Sequence, residues 1–318
     1  MDKINKQNKK KKKIFFYFNK KKIFKIIVIF NLSIFIFLLL KLKFNNIKIC
    51  LCTMGKLENL YVREFILYYK KLGIDKIYIY DDNDLYTEKI NDVNPLKYYA
   101  KVFENIKSKI KKQDDAYTDC YNKYKKKYNW FLMIDMDEYL VVVNDTLKNY
   151  LSNPIFNKCD FIKLHWVLAT DNNLLHYDNR SLFERFKGPY IKSQSVKTII
   201  RGNINNLKYH VHSPNFSPEK NISCNNVGEI IKYKYIDIES VHEINIKKAY
   251  IIHFQFKSTE EFINKYKRGY SNWLKDTKKN LKGKIYAYYY TNNITKEKKN
   301  YIEKELNINL TKYGIKIK

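Results

Sequence analysis

Cysteine, glycine, proline and acidic residues are all in short supply in this chain of 318 residues. Five cysteines (Cys50, Cys52, Cys120, Cys159, Cys224) are too few and too irregularly spaced for a disulfide scaffold, and no C-x-x-C pair points to zinc. The odd number leaves at least one thiol outside any internal bridge. Cys50 and Cys52, two apart in an apparent strand, share a face and read as packing residues. Only 8 glycines and 5 prolines accompany a surplus of Lys, Asn, Ile and Tyr, the residue set that an AT-rich genome imposes. That bears on the charge. A net +29 would ordinarily suggest nucleic acid or an anionic membrane as partner. Here the lysines are scattered through every segment, so they read as solvated faces and no specific nucleic-acid partner is expected. The sequence shows no internal repeat.

What is present excludes global disorder: 45% of residues are hydrophobic and 16% aromatic, enough for one large core or two small ones. Residues 1–22 form a lysine-rich tail. Ile26 to Leu40 is then almost unbroken apolar sequence, interrupted by Asn31 and Ser33. Extended to 23–43, the run reaches the ~20 residues that a bilayer requires, and no small-x-small cleavage site follows it before Cys50. The expectation is a single-pass anchor with a cytoplasmic N-terminus, which places the rest in the Golgi or ER lumen if the host is eukaryotic. Asn-x-Ser/Thr triplets at Asn144, Asn179, Asn221, Asn293 and Asn309 suit that placement, although an Asn-rich chain produces such triplets by chance.

From residue 46 onward strands and helices alternate. Ile47 to Met54 reads as a strand, Leu57 to Leu72 as a helix closed by Gly73, and Lys76 to Tyr80 as a second strand. A helix follows near Asp114 to Lys127, then the short apolar strand Trp130 to Ile134. Phe161 to Leu168, Val196 to Arg201 and Tyr250 to Phe256 are further strands, and Ser258-Thr-Glu-Glu261 is a capping box that opens a helix. The domain spans 46–278, and the Lys- and Asn-rich extension 279–318 reads as a peripheral helix with a frayed end. Such alternation predicts an α/β fold with a parallel sheet, whose ligands bind beyond the carboxyl ends of the strands. Three polar clusters fall at those ends: Thr53 to Glu58, Asp81 to Asp84, and Asp135 to Glu138.

Asp135-Met136-Asp137-Glu138 carries the chemistry. Two carboxylates at the end of one buried strand repel each other unless a cation lies between them. Mn²⁺ or Mg²⁺ suits oxygen ligands and leaves positions open for a substrate diphosphate. Asp81 and Asp82 are placed for a ribose hydroxyl or a base, and Glu64 is a carboxylate interleaved with an apolar stripe. His253, ahead of a capped helix and near Lys257, is placed to complete the metal site or to meet a phosphate.

Several blocks resemble glycosyltransferase family 92 and its family-2-like relatives. They are Cys52-Thr-Met-Gly-Lys-Leu-Glu58, Leu72 to Asn83, Trp130 to Tyr139, Phe183-Glu-Arg-Phe186, Val196 to Arg201, His210-Val-His212 and His253 to Phe262, in the family's order. The resemblance implies a GT-A (Rossmann-like) fold, with a mixed, mainly parallel sheet flanked by helices and preceded by one transmembrane helix. It implies a nucleotide-sugar donor, in particular a UDP-sugar, and a glycan or glycoprotein acceptor. Mn²⁺ would be held by Asp135 and Asp137, and a hexose, galactose at the family level, would be transferred with inversion. Thr53, Glu58, Asp81, Asp82, Asp135 and Lys257 are then the donor-binding candidates, and Asp135, Asp137 and His253 the metal ligands. Inversion needs a carboxylate base; Asp171, Glu184 and Glu243 are candidates. Two other classes use the same features: a metal-dependent phospho- or nucleotidyltransferase, and a basic membrane-tethered binding protein whose site has lapsed.

Overall fold

The computed structural model describes residues 24–25, 27–35, 47–84, 86–104, 106, 110, 112–209, 212–215, 221–231, 244–268 and 278–314. The chain divides into two compact units, Met1–Ile47 and Lys48–Lys318. In the first, residues 27–35 are helical (α1), and their Ile, Val, Phe and Leu side chains are exposed. Asn31 and Ser33 donate back to the carbonyls of Ile27 and Ile29, so neither polar side chain leaves the helix unsatisfied. No described helix is long and apolar enough to cross a membrane, and much of the expected 23–43 span lies outside the described residues.

The second unit is built on a mixed sheet. Its strands are β1 (Ile49–Gly55), β2 (Lys76–Asp81), β3 (Ala100–Phe103), β4 (Trp130–Met133), β5 (Glu138–Val142), β6 (Phe161–Ala169), β7 (Tyr190–Arg201) and β11 (Ala249–His253). They lie in the order β3-β2-β1-β4-β7-β6-β11-β5. Three shorter strands, β8 (Lys208–Tyr209), β9 (Pro214–Asn215) and β10 (Ser223–Cys224), add a small hairpin and a partner for β6. β1 to β4 run parallel, and β6 and β11 share their direction. β7 and β5 run against them. β1 and β4 are buried throughout, which is why they read as unbroken apolar runs.

β5 follows β4 after only residues 134–137, yet stands four places away in the sheet. Four flat spacings would be about 19 Å. The connection is a tight turn closed by the Glu138 amide donating to the Asp135 carbonyl at 3.1 Å, and such a turn spans under ~7 Å. The sheet therefore curls back on itself, and the turn sits in the mouth of the curl.

Helix α2 (Asn59–Leu72) ends where expected: Gly73 takes φ 103° and its amide caps Lys70. Tyr69 on α2 receives the Leu140 amide and donates to the Glu138 carbonyl, which locks the helix to β5. α3 (Gln113–Tyr124) packs Ala116, Tyr117, Cys120 and Tyr121 over β1 and β4. Short helices α4 (Leu147–Ser152) and α5 (Leu182–Arg185) follow. α6 (Thr259–Arg268), α7 (Lys278–Thr291) and α8 (Lys296–Leu306) share a core of Phe256, Phe262, Ile285, Tyr288, Ile294, Ile302 and Leu310. The extension expected as a peripheral helix with a frayed end thus holds α7 and α8, whose sparse apolar residues converge on that core as far as Leu310.

The cysteines depart from expectation. Cys52 is bridged to Cys120 and Cys159 to Cys224, while Cys50 is the buried free thiol. Sequence separations of 68 and 65 hide both pairings until β1 meets α3 and β6 meets β10. Cys50, Cys52 and Cys120 bring three sulfurs together, but two of them are in a disulfide and cannot serve as thiolate ligands.

Candidate active site

The β4–β5 turn, the end of β11, the start of β5 and one face of α6 converge on a single acidic and basic cluster. Asp135 offers Oδ1 to three donors: Gln113 and Tyr117 from α3, the latter at 2.9 Å, and Lys197 from β7 at 3.1 Å. Its amide donates to Glu138 Oε2 at 3.0 Å. Asp137 holds Lys265 through Oδ2, and its Oδ1 lies 3.6 Å from His253 Nε2. The backbone of the same residue accepts the Phe254 amide, so the Asp137 turn and the end of β11 are fastened together.

Burial opposes charge on both aspartates, yet neighbouring cations outweigh it. Lys197 holds Asp135 below the usual carboxylate range, and Lys265 holds Asp137 well below it. Glu138 behaves oppositely: burial, reinforced by the charge on Asp135, pushes its carboxyl well above the ordinary range. Lys197 is fully buried, but Asp135 and Glu138 offset the burial penalty and keep it charged. Burial lowers His253 below its ordinary value against the pull of Asp137, so the imidazole is neutral, and its Nδ1 is buried with no hydrogen-bond partner among the described residues. Trp166 covers the ring at 4.3 Å.

Two ionised carboxylates and a neutral imidazole are the donor set of a hard or borderline divalent ion, in the protonation state that coordination requires. The fit is incomplete in one respect. Asp135 turns Oδ1 toward Lys197 and α3, and the three residues do not bring ligand atoms all within 4.8 Å of one another. Its Oδ2 is the oxygen left to face an ion.

Beside this cluster lies a cleft of about 220 Å³ bordered by Glu58, Tyr61, Lys257, Lys265 and Arg268. Glu58 Oε2 accepts from Lys257 at 3.0 Å and its Oε1 from Arg268. Lys257 also lies 3.7 Å over the Tyr61 ring, and its backbone is left-handed, φ 57°. Such a conformation costs a non-glycine residue ~1 kcal/mol or more and persists where surrounding contacts over-determine it. Four carboxylates (Glu58, Asp135, Asp137, Glu138) thus face four basic side chains (Lys197, Lys257, Lys265, Arg268) around the cluster and its cleft.

Other sequence candidates are placed as follows. Thr53 is buried in β1 with its hydroxyl unpartnered among the described residues. Asp81 accepts the amides of Asn83 and Ile90 through its two oxygens and so shapes the loop after β2; Asp82 follows it, nearly buried. Asp171 is buried against Lys298 at 2.6 Å and accepts from Tyr288, which makes it the tie between the β6 end and the C-terminal helices. Glu184 closes a capping box with Ser181 at the start of α5. Glu64 accepts the Leu182 amide. Glu243 and His210 lie outside the described residues. Sequence reading missed Lys197, Lys265, Arg268, Gln113 and Tyr117. Glu261, Lys265 and Arg268 stand at i, i+4 and i+7, so one face of α6 was legible as a charged stripe; Lys197 was indistinguishable among 61 basic residues.

The sequence profile of glycosyltransferase family 92 matches residues 45–306. A glycosyltransferase family 92 protein of rice (Oryza sativa subsp. japonica) is 29% identical over 112 residues, 33% of this chain and 19% of the rice protein. One from Arabidopsis thaliana is 31% identical over 94 residues, 29% of this chain and 16% of that protein. The matched stretches span under a fifth of those relatives.

Proposed function

The chain belongs to glycosyltransferase family 92, and on that premise we propose that it transfers a hexose from a nucleotide sugar, a UDP-sugar, to a glycan or glycoprotein acceptor with inversion. The observation that carries this reading is the Asp137 carboxylate set between His253 and Lys265, at the mouth of the curled sheet and beside the cationic cleft. Asp135, Asp137 and His253 would hold Mn²⁺ (or Mg²⁺). When bound, that ion neutralises charge on the departing diphosphate.

The protein's own groups supply the rest. Lys257, Lys265 and Arg268 receive the diphosphate oxygens, and Glu58 orients Lys257 and Arg268 toward them. Asp82, directly after β2, would meet the ribose, with Asp81 holding the loop in shape. The acceptor hydroxyl oxygen bonds to the anomeric carbon, the bond from that carbon to the diphosphate oxygen breaks, and the hydroxyl proton passes to a base. Asp171 and Glu184 are tied to their own partners, which leaves Glu243 as the candidate base to test by Glu243→Gln.

Residues 23–43 are proposed as the anchor, with the second unit lumenal; the two disulfides support an oxidising compartment. Protease added to sealed vesicles is expected to spare that unit, and its digestion would reverse the orientation. A screen of nucleotide sugars for donor hydrolysis, with EDTA and Mn²⁺ add-back, tests the activity. Metal-dependent turnover of a nucleotide sugar is expected; turnover of nucleoside triphosphates alone would favour a nucleotidyltransferase instead.

A further inference from the structure

A cavity of about 450 Å³ lies between the loop that follows β6, the residues that lead into β7 and the carboxyl end of α7. Its lining comes from residues 170–173, 188, 189, 191 and 290–293 and, among the described residues, includes no Lys or Arg, in a chain where 61 of 318 residues are basic. The single acid in the wall, Asp171, is neutralised from behind by Lys298 at 2.6 Å. The surface is therefore neutral and rich in amides and hydroxyls. Anions would find no counter-charge there.

The wall is pre-organised. Asp171 donates its amide to Asn292 Oδ1 at 2.6 Å and accepts the Asn173 amide at 2.9 Å. Asn172 and Asn173 are both left-handed, φ 48° and 60°, a strained pair held open by those contacts. Thr170 Oγ1 donates to Asn172 Oδ1 at 3.0 Å, a bond that uses the acceptor of the Asn172 amide and neither of its Nδ2 donors. Tyr290 stands on the rim, 73% exposed, beside Tyr286 and Tyr289. Convergent amides next to an exposed aromatic ring suit a neutral polyhydroxyl ligand, whose hydroxyls take the hydrogen bonds and whose C–H face covers the ring.

The cavity is also correctly placed. Leu168 of β6 pairs with His253 of β11, and Thr170 lies two residues further on, directly after the end of β6. That is roughly 7 Å of strand rise and one strand spacing of about 5 Å from the backbone of a metal-site residue, on the carboxyl side of the sheet.

We propose that this cavity is an acceptor-side subsite that binds a neutral sugar residue of the acceptor glycan beyond the one glycosylated. This rests on the glycosyltransferase reading, so the test measures binding rather than transfer. The full chain is made without N-glycosylation, because Asn293 on the rim heads an Asn-Ile-Thr triplet. It is titrated by saturation-transfer NMR with maltotriose, cellotriose, mannotriose, chitotriose and a lactose-terminated trisaccharide, with and without UDP and Mn²⁺, and with a sulfated trisaccharide as counter-probe. At least one neutral trisaccharide should bind, and about tenfold more weakly in Tyr290→Ala. Asn172→Gly, which keeps a residue at ease with positive φ, should weaken it likewise. Absence of binding by every neutral probe, preference for the sulfated one, or unchanged binding in both variants would overturn the proposal. Sugar binding without UDP binding would instead sink the donor reading and leave the subsite standing.

Discussion

His253 Nε2 lies 3.6 Å from Asp137 Oδ1 while Lys265 takes the other oxygen of the same carboxylate. One carboxylate is thus shared between a neutral imidazole and an ammonium. The sharing explains how a buried aspartate stays ionised beside Asp135 before any metal binds. It also makes Lys265 a stand-in for a cation, on a helix that borders the cleft where a diphosphate would lie.

Asp137→Asn keeps the shape and removes the charge. Mn²⁺-dependent donor turnover should fall by roughly a hundredfold or more, the scale of losing one focused electrostatic contact in a closed site. Circular dichroism should still report the native fold. Full activity in this variant would remove Asp137 from the metal site.

Lys265→Met separates two roles. If Lys265 holds the diphosphate, UDP affinity should drop about tenfold, since a hydrogen bond to a charged group is worth ~1.5 kcal/mol or more. Mn²⁺ affinity without nucleotide should hold or rise, because the competing ammonium is gone. Calorimetric titration of each ligand reads both. A parallel loss of Mn²⁺ and UDP binding would argue that Lys265 merely supports the fold.

Asp171 is expected to act on stability. Its carboxylate and Lys298 are both buried, so Asp171→Asn or Lys298→Met alone should cost about 3 kcal/mol by leaving one charge unpaired. The double variant should recover much of that. Urea melts give the energies; turnover per folded molecule should persist, and its abolition in Asp171→Asn would return that residue to the list of bases.

The sulfur chemistry is countable. Two bridges leave Cys50 as the free thiol, and burial raises its pKa well above the ordinary value. The native chain should resist a thiol reagent at pH 8, and the denatured, unreduced chain should yield one thiol. Replacing Cys159 and Cys224 together by Ser should cost ~4 kcal/mol in the chain-entropy account of a loop of this length. Five reactive thiols without reductant would exclude both bridges.

The strands near the site were legible because they are short apolar runs bounded by polar ends: Trp130–Met133 and Ile49–Gly55 fell within a residue or two of their positions. The acidic turn was legible for the same reason, since carboxylates directly after a buried strand are costly without a partner. The curl was not. That β5 closes the far end of the sheet follows from strand pairing, and no local pattern records which strand pairs with which.

By itself the sequence determined the alternation of elements, the carboxylates at the strand ends and the capped helix after His253, because periodicity and side-chain chemistry are local. Only the tertiary structure decided which charges meet. It chose Lys197 and Lys265 from a crowd of lysines, bound Asp171 to Lys298 across 127 residues, and paired four cysteines that spacing had set aside. The physical reason is that burial makes an unpaired charge expensive, and partners for buried charges are found in space, at sequence separations that no window of local pattern spans.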